Sequence, residues 1–176
     1  MSRRLQATPF GTGPLAELPA LVLGPLADRS EAEWQRAPAG KWTAAQIVEH
    51  LAIGMTWSAE KFAQRRAHPP MRRRPRRPLE RLAAAVILRF AWYPQGFRAP
   101  EGSTPADHVA GAAAEAHFRR GLAAWDAIER ELLPARRADL FVRHPRLGDL
   151  TLDEWRRFHL IHARHHAGQI RARLTA

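Results

Sequence analysis

Apolar positions along this chain recur at helical spacing, and several helix starts can be read directly. Ser30-x-x-Glu33, Thr43-x-x-Gln46 and Thr151-x-x-Glu154 each match a capping box, in which a hydroxyl and a carboxylate or amide satisfy each other's exposed backbone N–H groups. Thr104, followed by Pro105 and Asp107, is a variant, with proline at the first helical position and an acid in the first turn. The pattern predicts a helix from about Pro14 to Asp28 and a short helical turn after Ser30. It predicts a long helix from Thr43 to about Arg66, a shorter apolar one over Leu79–Trp92, and another long one from Pro105 to about Leu133. The last predicted helix runs from Leu152 to Arg173.

Alternating strand patterns are nearly absent, and residues 142–150 read better as a turn leading into the last helix. Prolines 69, 70, 75 and 78, set between arginines, exclude regular helix over 68–78 and predict an exposed, mobile connector. Residues 93–103 form a second predicted loop, and residues 1–13 are expected to be flexible. Four main amphipathic helices and one long crossover indicate an all-α bundle. Metal sites in bundles sit between facing helices.

The length of 176 residues fits a single domain, 1–176, with a sizeable core. The absence of cysteine removes disulfides, thiolate ligands and a cysteine nucleophile, leaving histidine, carboxylates or water to build a site. No signal-peptide core precedes the first helix and no apolar run is long enough to span a bilayer, so a cytoplasmic protein without membrane contact is expected. The formal net charge of +11 is concentrated: residues 61–81 hold nine of the 28 basic residues and one acid, leaving +3 for the remainder. This basic segment supports an alternative function, a non-enzymatic protein contacting nucleic acid or another polyanion. No base-reading element and no interleaved aromatic residues accompany it.

The chemistry points elsewhere. In His162-Ala-Arg-His-His166-Ala-Gly-Gln169, the residues His162, His166 and Gln169 fall at i, i+4 and i+7 on one helical stripe. Two imidazoles one turn apart can share a metal ion, and the amide can orient a ligand or water. His50 lies on the apolar stripe of a second helix with Ile47, Leu51, Gly54 and Trp57, and Gly54 leaves space beside it. Three histidines from two helices would leave coordination positions open, as in a catalytic site. Imidazole ligands suit Zn, Ni and Fe alike.

His159 reads as a packed core histidine or as a donor or base beside the site. Trp57 and Trp155 share the histidine-bearing faces and are placed as pocket walls. His117 is a minority candidate for a fourth ligand, Glu49 is expected to point away from the seam as a surface charge or as a charge supporting the site from behind its ligands, His165 is expected toward solvent, and His144 carries no specific signal. No catalytic residue is assigned.

Trp42-Thr43 opening a helix that contains His50, together with His162-x-x-x-His166-x-Gly168-Gln169, resembles the two motifs of the DinB-like (YfiT-like) superfamily. The similarity in helix order extends from about Leu15 to Arg173. The resemblance implies a four-helix bundle with a long crossover and a divalent metal on His50, His162 and His166. It also implies a metal-dependent transferase acting on a small-molecule substrate with a low-molecular-weight thiol, and a homodimer. Ala163 and His165 depart from residues common in that superfamily, which removes support for roles carried over at those two positions.

Overall fold

A computed structural model describes residues 15–94, 96, 98–132 and 136–175. Among the described residues the chain is mostly helical, with one small two-stranded sheet. Five α-helices follow in order: α1 (Glu31–Trp34), α2 (Ala44–Arg65), α3 (Pro78–Ala84), α4 (Gly111–Glu131) and α5 (Leu152–Leu174). Strands β1 (Val142–His144) and β2 (Gly148–Leu150) pair antiparallel just before α5. The segment 1–13 lies outside the described residues, as do the expected ends at Pro14 and Leu133.

All three capping boxes form, at Ser30, Thr43 and Thr151, so α1, α2 and α5 start where their sequences place them. Buried Phe62, Phe118 and Trp125 join α2 to α4, and the Trp125 indole donates to the Met55 carbonyl at 3.0 Å. Gly121 lets the helices approach: a methyl there would lie 3.2 Å from Met55 Cβ. Helix α5 runs antiparallel to α2, since His50 meets His162 and Trp57 meets Trp155.

Four elements differ from the pattern-based expectation. The first helix is broken into a 3-10 turn at Leu15–Glu17, a π-helical stretch at Pro19–Leu23 and a 3-10 turn at Gly24–Leu26, because Pro19 and Pro25 interrupt regular α bonding. Helix α3 continues only as a π-helical turn, Ala85–Arg89, and stops before Trp92. There Arg157 of α5 takes the Leu88 carbonyl and Ala91 adopts φ 53°.

Helix α4 starts at Gly111 instead of Pro105. The Gln46 amide holds the carbonyls of Ala106 and Asp107 at 2.9 and 3.1 Å, and Gln35 holds that of Val109 at 2.8 Å. These contacts replace the bonds a helix would have made. The Glu31 carboxylate caps the Gly111 N–H, with both oxygens at 3.1 Å.

Residues 142–150 form a hairpin rather than a simple turn. Neutral His144 closes it, its Nδ1 accepting from the N–H groups of Arg146 and Leu147 at 3.1 and 3.2 Å.

The basic connector is not the loose segment expected from its prolines. Arg74 grips the Asp149 carboxylate with two side-chain bonds, at 2.9 and 2.7 Å. Arg73 and Arg76 both reach Glu154, at 2.5 and 2.9 Å. Arg73 also caps the Asp149 carbonyl and Arg76 that of Leu147. Three arginines therefore fasten the segment across the hairpin and the first turn of α5.

Candidate metal centre

Helices α2 and α5 bring His50, His162 and His166 together, all buried. The His162 Nε2 lies 3.2 Å from His50 Nε2 and 3.0 Å from His166 Nε2. Two nitrogens bound to one metal at about 2.1 Å, with an angle between 90° and 109°, stand about 3.0–3.4 Å apart. Both His162 separations fall in that range, and the ligand atoms of the three rings all lie within 4.8 Å of one another.

Hydrogen bonding on the far side of two rings fixes their tautomers. His50 Nδ1–H donates to the Ser103 carbonyl at 2.7 Å. His166 Nδ1–H donates to Gln169 Oε1 at 2.8 Å. Both rings, when neutral, present a bare Nε2 lone pair to His162. The His162 Nε2 carries at most one proton, so only one of the two short contacts can be a hydrogen bond. The other sets two lone pairs face to face. A cation between the nitrogens removes that conflict, so the donor set fits a divalent metal.

Burial keeps these rings uncharged. It pushes the His166 imidazole down to about 3, with neighbouring His50 adding to the effect and the Gln169 bond opposing it. Burial also lowers His50, against the Ser103 bond, and holds His162 well below the ordinary histidine range. Neutral imidazole is the form that ligates metal.

The surroundings are aromatic. Trp42 lies against His50, with ring centres 5.0 Å apart, and both Tyr93 and Phe158 stack on His162 at 5.1 and 5.0 Å. Burial raises the Tyr93 hydroxyl above its usual range. Gln169 holds His166 in place instead of pointing at a substrate, and its amide nitrogen lies 3.1 Å from His165 Nε2. His165 is accordingly half-buried under Tyr93 and is not simply solvated.

Other candidates fall outside the trio. His159 is a core residue, its Nε2 bonded to Ser58 Oγ at 2.9 Å and its pKa pushed down to about 3 by burial. His117 sits between Glu49 (2.9 Å) and Thr56 (3.2 Å), so it is not a fourth ligand, and Glu49 is paired across to α4. Trp155 is buried, donating to the Val142 carbonyl at 2.9 Å. Trp57 remains 40 % exposed two turns along α2 from His50. Sequence reading missed Tyr93, the Ser103 carbonyl and buried His144. Tyr93 and Ser103 come from a loop with no periodicity, and a backbone acceptor leaves no mark in residue type.

The sequence profile of a family described as "Protein of unknown function (DUF1569)" matches residues 27–173. The chain belongs to the DUF1569 family. The matched span contains the three histidines, Gln169 and every α-helix up to the last turn of α5. No curated protein and no solved structure matches this DUF1569 chain. Among the described residues, no helix is long and apolar enough to cross a membrane.

Proposed function

We propose that this DUF1569 protein is a divalent-metal protein of DinB/YfiT-like type, in which the broken first segment, α2, α4 and α5 act as a four-helix bundle. His50, His162 and His166 hold Zn, Ni or Fe and leave open positions for a small-molecule substrate. The activity proposed is transfer to or from a low-molecular-weight thiol. A divalent ion in this setting supplies Lewis acidity and lowers the pKa of a water or thiol brought to it.

The chain's own residues do the rest. The Ser103 carbonyl and Gln169 fix the orientation of two imidazoles, and Trp42, Tyr93 and Phe158 exclude water from them. The absence of cysteine makes an external thiol the natural sulfur nucleophile. The homodimer proposed with this reading has a surface available: Leu79, Leu82, Phe90 and Trp92 are all exposed along and just after α3.

The observation that carries the proposal is the pair of short Nε2 contacts that cannot both be hydrogen bonds. Elemental analysis of tag-free protein tests it. About one divalent ion per chain is expected, falling sharply in His162→Ala. Unchanged metal content in that variant would defeat the reading. The rival polyanion function loses ground to the fastening of Arg73, Arg74 and Arg76 on Asp149 and Glu154.

A further inference from the structure

We infer that the groove beside Trp57 binds a small planar aromatic anion. The groove has a volume of about 340 Å³ and is lined by Trp57, Lys61, Arg65, Val142, Arg143 and Pro145. That size lies at the small end of ligand sites, which bind through apolar surface and a few placed polar groups.

The apolar part is an indole held in place. Trp57 keeps 40 % of its surface exposed, while its ring rests 6.0 Å from the ring of buried Trp155. A rigid, partly wet aromatic face in a concavity stacks flat rings. Val142 and Pro145 add apolar lining.

The charged part is cationic, and two of its three cations have no ion-pair partner among the described residues. Lys61 and Arg65 follow Trp57 at successive turns of α2. Neither forms an ion pair among the described residues: Lys61 Nζ reaches only the neutral Gln64 Oε1, at 3.1 Å, and Arg65 faces the Met71 sulfur. Arg143 adds a third cation from β1, where Glu80 holds it at 2.7 Å. Two adjacent unpaired cations repel one another, and an anion placed between them relieves that repulsion. A ring on Trp57 with a phosphate or carboxylate at Lys61 and Arg65 satisfies both halves of the groove.

His50, Gly54, Trp57 and Lys61 lie on one stripe of α2, which puts Trp57 about 10 Å along the axis from His50. Gly54 stands between them, and a Cβ there would meet nothing within 4 Å. A ring on Trp57 with its anion at Lys61 and Arg65 lies along α2 on the side away from His50, so the groove stands independently of the metal reading.

Calorimetry on tag-free, chelator-stripped full chain tests the groove directly. The probes are adenosine 5′-monophosphate, for a phosphate source, and 1-naphthoate, for a carboxylate source. Adenosine and 1-naphthalenemethanol serve as neutral counterparts. At least one anion should bind one to one, with its neutral counterpart about tenfold weaker or worse. Trp57→Leu and Lys61→Gln/Arg65→Gln should each weaken it about tenfold, and affinity should fall with salt. His162→Ala should leave it unchanged, so a failed metal centre and a failed groove are told apart. The inference is overturned if neither anion binds, if the neutral partner binds equally well, or if Trp57→Leu has no effect. It is also overturned if a single-stranded oligonucleotide binds and the small anions do not.

Discussion

Among single residues, His144 has the clearest solution consequence. Its ring must stay neutral to accept two backbone N–H groups, and burial pushes its pKa down to about 3 from 6.5. In the unfolded chain the ring takes up a proton as pH falls through about 6.5, and in the folded chain it does not until about 3. Its contribution to stability is therefore complete above pH 6.5 and is lost progressively between 6.5 and 3. Asparagine could accept similar bonds without titrating. In urea unfolding between pH 6 and 4, His144→Asn should flatten the fall of stability by up to about 1.4 kcal/mol per pH unit. Parallel curves for the two proteins would refute this account. The histidine trio was legible because both helices carry these side chains on their apolar stripes. His144 was not, since its burial depends on a hairpin that short segments do not announce.

Among elements, side-chain capping was readable and tertiary capture of backbone was not. Thr43 and Thr151 announce their helices within four residues. Thr104 and Pro105 carry a comparable local signal, yet Gln46 and Gln35, 60 to 74 positions away, take the carbonyls that helix would need. The displaced start places Gly111 against Trp34, where a Cβ would sit 2.6 Å from Cδ2 of the indole. Gly111→Ala should thus destabilise the fold by about 1–3 kcal/mol through overpacking, although alanine is the better helix former. Thermal unfolding decides between them, and a rise in Tm would show that the Trp34 contact yields easily.

For the molecule as a whole, the sequence indicated a helical chain with a histidine-bearing α2–α5 seam, and the structure has both. Composition misled on the connector. Nine basic residues in 61–81 look like a free polycation, but Asp149 and Glu154, far along the chain, neutralise part of it. Ion pairing across about 75 positions has no local signature. The Trp57 groove was visible only as an aromatic residue on a histidine-bearing face, because its Arg143 and Pro145 side comes from the unanticipated hairpin.

The meeting of His50 with His162 spans 112 positions of chain. An encounter that closes so large a loop belongs late in folding, once most of the entropy of the chain has been surrendered. On the metal reading proposed above, affinity for an ion at this junction is then absent from the transition state and present only in the finished protein. Added metal should slow unfolding while leaving the folding rate nearly untouched, so that in stopped-flow chevrons only the unfolding arm moves. Equal shifts of both arms would place the junction early. On this view the three imidazoles act as a kinetic latch, holding shut a chain that had already found its shape.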